Sequence, residues 1–172
     1  MHPSIDRLDE RLDEAWETLR GIPALDRIFY TASEAADFSV LWHTLGVVQA
    51  IVEDDPKIAL ALSAALGVES ALINGPVKSL FKRSRPVHVG ERPLNLRQPK
   101  TTSFPSGHAS AAMVAAAMLS RRGGGPLWYV LAGIVALSRI HVRIHHGSDV
   151  AGGLIAGVAL GAAARRLADA WH

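Results

Sequence analysis

The stretch DVAGGLIAGVALG, Asp149 to Gly161, places a carboxylate at its start and glycines at 153, 157 and 161. Residues four apart stand on one face of an α-helix, and a row of glycines there lets a second helix approach closely. Nothing in the run alternates with period two, so a strand is not indicated. The same texture recurs along the chain. Five apolar segments, 35–52, 58–77, 109–119, 127–142 and 150–164, are rich in Ala, Gly and Leu. None is cleanly the ~20 apolar residues that a spanning helix wants. Arg121-Arg122 and Arg165-Arg166 stand at segment ends, as basic flanks of spans do. The expected fold is an all-α, membrane-embedded helical bundle of about five transmembrane helices, preceded by an N-terminal amphipathic helix.

That first helix is read over residues 4–20. Ile5, Leu8, Leu12, Trp16 and Leu19 form a stripe at helical spacing, opposite a mainly acidic face, and Gly21 and Pro23 end it. The apolar stripe is expected to be its packed face. An acidic polar face argues against a helix lying on a membrane surface, where Lys and Arg are usual. A chain of 172 residues suits one domain, 1–172, with residues 1–34 as helix and connector and 35–164 as the bundle. Hydrophobic residues make up 49% and mean hydropathy is +0.18. A net charge of +2 is too mild for a nucleic-acid partner, and no nucleic-acid-binding signature is present. Cysteine is absent, which excludes thiolate chemistry and disulfides. The first thirty residues carry alternating charges and no apolar core of a signal peptide.

Three polar clusters punctuate the segments. Lys78 and Arg85, seven apart and followed by Pro86, would share one face if the helix continued to the proline. Pro105-Ser106-Gly107-His108 opens the third segment, where free backbone N–H groups attract an anion. Ser106 reads equally as a plain N-cap. Ser138-Arg139 is followed by His145 and, four residues on, Asp149. A carboxylate there could fix one imidazole nitrogen and leave the other as a nucleophile. If consecutive segments run antiparallel, all three clusters meet at one end of the bundle.

Lys, six residues, Arg-Pro; Pro-Ser-Gly-His; then Ser-Arg, five residues, His, three residues, Asp: taken together and in order, these motifs resemble the type 2 phosphatidic acid phosphatase superfamily. The resemblance covers about residues 35–164. It implies a metal-independent phosphatase with no cofactor, and makes His145 the nucleophile that forms a phosphohistidine. Asp149 would orient His145, and His108 would protonate the leaving group and then activate water. Lys78, Arg85, Arg139, the Ser106 hydroxyl and the Gly107 N–H would hold the phosphoryl oxygens. The membrane branch of the family implies a lipid phosphate as partner and a multi-pass place in the cell membrane. Polyprenyl phosphates or diphosphates, including decaprenylphosphoryl phosphoribose, come first as substrates, then phosphatidic acid or phosphatidylglycerol phosphate. Relatives with the same site, vanadate-dependent haloperoxidases and soluble acid phosphatases, are the alternative.

Other residues stay open at this point. His141, His145 and Asp149 have a spacing that a metal could use. Glu69 stands inside an apolar segment, where a carboxylate is costly and often functional. His43 reads as a packed polar residue and His146 as a flanking one. Lys82, Arg83, Arg92, Arg97 and Lys100 crowd the loop beside the site, as a solvated loop or an attractor of anionic head groups.

Overall fold

The structure, a computed structural model, describes residues 2–87, 96–99 and 101–171. Arg92 and Lys100 of the basic loop lie outside the described residues. Among those described, seven α-helices and no strands occur. They are Pro3–Glu17 (α1), Pro23–Ala35 (α2), Val40–Val52 (α3), Lys57–Leu72 (α4), Gly107–Leu119 (α5), Gly125–His141 (α6) and Gly147–Ala170 (α7).

Each apolar segment forms a helix, and the expected connector supplies another, α2. Pro23 starts it, its fixed φ already suited to a first helical turn. Asp37, Phe38 and Ser39 then turn the chain by 65° into α3. Phe38 and Ser39 take positive φ values of 52° and 59°, a backbone region that non-glycine residues rarely enter. The turn has a use, because Asp37 reaches the site from it. At its far end α4 passes through a π-helical turn, Ile73–Val77, that holds Gly75 and Pro76. Helical structure ends after Ser79, before Arg85.

α5 is the hub. Ala109, Ala112, Val114, Ala115 and Ala116 are almost wholly buried along it. α7 lies against it with its glycine row inward. A Cβ on Gly153 would stand 2.3 Å from the Ser106 carbonyl oxygen, one on Gly157 2.5 Å from that of Ser110, and one on Gly161 2.8 Å from the Ala117 Cβ. The fold-deciding pattern thus marks a seam where nothing larger than hydrogen fits. Trp42, Leu62, Leu66, Leu119, Ala132 and Val135 complete the core from α3, α4, α5 and α6.

Two helices are long and apolar enough to cross a membrane, Lys57–Val77 and Gly147–Ala170, and α2 with the bent α3 makes a third if that pair is one span. α5 and α6, with 13 and 17 residues, are shorter. Outward-facing Val48, Ile51, Leu60, Val68, Val130, Ile155 and Leu167 leave the sides of the bundle apolar. Buried polar groups collect at one end.

Candidate active site

Lys78 follows directly on the π-helical turn at the end of α4, and Arg85 lies in the non-helical segment beyond it. The two are therefore not on one helical face, as the seven-residue spacing suggested, because the helix, kinked at Gly75-Pro76, runs out after Ser79. A different device brings them together. Residues 83 and 101–103 pair: Arg83 N donates to Thr102 Oγ1 at 2.9 Å, and Ser103 N donates to the Arg83 carbonyl at 2.9 Å. Lys78 Nζ then donates to Thr101 Oγ1 at 3.3 Å, and Arg85 Nε donates to the Thr101 carbonyl at 3.2 Å.

Both cations line a cavity of about 660 Å³ together with Gly107, His108, His145, Glu69 and Asn74. At its wall Arg85 Nη1 stands 3.1 Å from His145 Nε2. A guanidinium only donates, so Nε2 carries the lone pair and the ring proton sits on Nδ1. Asp149 Oδ2 lies 3.6 Å from that Nδ1, an ion-pair distance longer than a hydrogen bond. The same oxygen accepts from Ser103 Oγ at 2.5 Å and from the His146 N–H at 2.8 Å. Burial, with the charges of Arg139 and Arg85 added, pushes the His145 imidazole down to about 3 against the pull of Asp149. At neutral pH this ring is an uncharged base facing a cationic cavity. Burial, joined by the Arg85 charge, pushes Lys78 down to about 8.

His108 stands in the first turn of α5. Its Nε2 lies 2.9 Å from Asp37 Oδ1, and a carboxylate there accepts the Nε2 proton. Asp37 went unnoticed in the sequence. It is an ordinary acidic residue seventy-one positions away, and only the turn after α2 delivers it. Ser106 is fully buried and caps α5, its hydroxyl accepting from Ala109 N at 3.5 Å, while its own N–H donates to the Asp149 carbonyl at 2.9 Å. Arg139 is buried beside the cavity, with Nη1 on Ser33 Oγ of α2. So Lys78, Arg85, Gly107, His108 and His145 line one space, Asp149 backs His145, and Ser106 and Arg139 are buried next to it.

His141 turns elsewhere. Its Nε2 meets Asp26 at 2.8 Å and its Nδ1 accepts from Trp16 Nε1 at 3.2 Å, so both nitrogens are engaged away from Asp149. Among the described residues no group of three His, Asp or Glu side chains is placed to hold a metal. His43 shares a hydrogen bond with Ser63 Oγ at 3.0 Å, and His146 is the N-cap of α7.

With this geometry in view, the PAP2 superfamily model matches residues 57–172. The chain belongs to the PAP2 superfamily. Decaprenylphosphoryl-5-phosphoribose phosphatases from two strains of Mycobacterium tuberculosis are each 42% identical to it over 86 residues, half of this chain and 48% of theirs. The chain thus matches about half the length of these relatives. The protein of that name from Mycolicibacterium smegmatis is 29% identical over 124 residues, 70% of this chain and 67% of its own. The crystal structure of a transmembrane PAP2 type phosphatidylglycerolphosphate phosphatase from Bacillus subtilis superposes with a TM-score of 0.75, covering 98% of this chain and 88% of that one at 22% identity. This likeness speaks for the fold. The family match begins at residue 57, which leaves α1, α2 and the Asp37 turn outside it.

Proposed function

We propose that this PAP2 protein is an integral-membrane lipid phosphatase that works without a metal, through a phosphohistidine on His145. The observation that carries the reading is the placement of His145, with Nε2 unprotonated at the cavity wall beside Arg85, and Asp149 behind Nδ1. The apolar sides of the bundle and its two to three helices of spanning length support a place in the bilayer, with the cavity at one end.

In the first step the Nε2 lone pair attacks phosphorus and the bond to the lipid oxygen breaks. His108 gives its proton to that oxygen. Burial and the Arg139 charge push its imidazole down to about 4 against the pull of Asp37, so the incoming phosphate must supply the rest of the charge that holds the imidazolium. With Nε2 engaged by Asp37, the exchanging proton is the one at Nδ1. Lys78, Arg85 and the Gly107 N–H receive the charge on the equatorial oxygens, with Arg139 adding its field from behind. In the second step water attacks phosphorus, and the P–N bond breaks with its electron pair returning to His145 Nε2. His108 takes the proton of the water, and inorganic phosphate leaves with His145 restored. Atoms and charges balance over the two steps: phosphate ester and water give alcohol and phosphate.

The names of the mycobacterial relatives support a polyprenyl-linked substrate, decaprenylphosphoryl-5-phosphoribose before the others. Phosphate release from that compound, a polyprenyl diphosphate, phosphatidylglycerol phosphate and phosphatidic acid by the chain in detergent tests the choice. The highest kcat/KM is expected on a polyprenyl compound, with activity retained in EDTA. A preference for either glycerolipid overturns the substrate assignment, and loss on chelation restored by a divalent ion overturns the mechanism.

A further inference from the structure

One buried ion network is unused by the chemistry above. Arg83 is no part of the motif read in the sequence, yet its guanidinium is nearly buried between the carboxylates of Asp149 and Asp9, with Asp6 at 3.4 Å. Nη1 donates to Asp149 Oδ1 and to Ser148 Oγ, both at 2.6 Å, and Nη2 donates to Asp9 Oδ2 at 2.6 Å. Asp9 belongs to α1 and is only 5% exposed. It also accepts from the Ser148 N–H at 2.8 Å and from the Ser148 hydroxyl at 2.6 Å. The face of α1 that enters the protein carries Asp9 among Ile5, Leu12 and Trp16 of the apolar stripe, while Leu8 of that stripe is 64% exposed. Fit enforces the docking, since a Cβ on Gly147 would stand 2.2 Å from Leu12 Cδ2.

We infer that α1 is a working part of the active site, and that Asp9, acting through Arg83, is a positioning residue for the Asp149–His145 pair. The inference rests on the phosphatase reading for its consequence but not for its geometry. Asp149 has two oxygens. Oδ2 is fixed by Ser103 and the His146 N–H and faces His145, while Arg83 holds Oδ1. Two hydrogen-bonded oxygens leave the carboxylate plane no freedom to rotate, which sets where His145 stands. Arg83 could not do this alone. Asp149 already balances the Arg83 charge, but a guanidinium held through Nη1 alone can pivot, and Asp9, with the half-exposed Asp6 at 3.4 Å, fixes Nη2. Burial disfavours charge on both groups, yet the Ser148 hydroxyl and Arg83 hold Asp9 below the ordinary range, and Asp9 with Asp149 holds Arg83 above it. Both ends of the bridge lie off the family motif, and Asp9 lies outside the matched residues altogether.

The test uses the full chain in detergent with Arg83→Met, Asp9→Asn, the double variant, and Arg143→Met as control. Arg143 also ties α1 to the bundle, through Glu17, but does not touch Asp149. Activity on the best lipid phosphate is read as kcat and KM. The ring ¹⁵N signals of His145, assigned with His145→Gln, are read without any substrate. Arg83→Met is expected to lower kcat by up to about 10²-fold with KM within about twofold, because misplacement of a reacting group acts on the chemical step. Asp9→Asn should lower kcat in the same direction, and the double variant no further than Arg83→Met, since an amide at position 9 can still accept the Ser148 N–H and loses chiefly its hold on Arg83. The His145 signals should move in all three and stay in place in Arg143→Met. Multiplicative losses in the double variant, or an equal disturbance by Arg143→Met, overturn the inference, because α1 would then matter only as packing. Unmoved His145 signals in Arg83→Met overturn it too. If the unaltered chain cleaves no lipid phosphate, the phosphatase reading fails, while the ¹⁵N signals still decide the positioning role.

Discussion

His108 and His145 sit in the same cavity with opposite proton arrangements, Nε2 donating in one and accepting in the other. They should fail differently. His108→Ala removes the proton donor, which matters most for a poor alkoxide leaving group, so its first step should recover on an aryl phosphate far more than on a lipid phosphate. The loss on the lipid should be ~10²–10⁴-fold, the usual worth of general acid catalysis. Equal losses on both substrates would contradict the assignment of His108 as acid. Asp37→Asn should act in the same direction through the imidazolium it no longer stabilises. Lys78 gives a pH signature. Its ammonium is charged below about 8 and neutral above, so kcat/KM should fall as pH rises through that value. Lys78→Arg, always charged, should carry the fall to higher pH. An alkaline limb unmoved in Lys78→Arg would assign it to another group. The histidines, the cations and Asp149 are legible in the sequence, because each lies in a short motif whose residue types suit phosphate chemistry. Asp9, Asp37 and Arg83 are not: each acts across 65 or more residues through a turn or a docked helix, and a lone charge in sequence looks the same whether solvated or buried.

The glycine row of α7 is legible for a simple reason. A four-residue period of hydrogen-sized side chains has meaning only against another helix, and α5 meets it. Elements lacking such a pattern are harder to see. α2 carries polar residues throughout and owes its burial to Tyr30 and Ser33, so it read as connector. The segment after Lys78 kept helical spacing, although the helix, kinked at Gly75-Pro76, runs out after Ser79. Substitution separates seam from periphery. Gly157→Ala drives a methyl to within 2.5 Å of the Ser110 carbonyl and 2.7 Å of the Met113 Cβ, so the helices must part. Overpacking of this kind costs about 1–3 kcal/mol. Gly67→Ala in α4 meets nothing within 4 Å and should be neutral or stabilising by up to about 1 kcal/mol, because alanine favours helix. Thermal unfolding in detergent checks both, and a Gly157→Ala melting point at or above that of the unaltered chain would contradict the close seam.

The intact molecule separates its two solvents by region. Apolar side chains cover the flanks of α3, α4, α6 and α7, the buried cations, histidines and Asp149 gather at one end, and Arg121 and Arg122 pair with Asp169 and Asp55 at the other. A bundle so divided should resist extraction from membranes by carbonate, and recovery in the soluble fraction would contradict its place in the bilayer. On the proposed mechanism, what joins this architecture to a reaction is a covalent bond at one nitrogen. Rapid quenching of the full chain with a ³²P-labelled lipid phosphate measures that bond directly. An acid-labile, base-stable phosphoenzyme is expected, absent in His145→Ala and accumulating in His108→Ala, where water lacks its general base. Labelling that survives in His145→Ala and vanishes in His108→Ala would contradict the central claim.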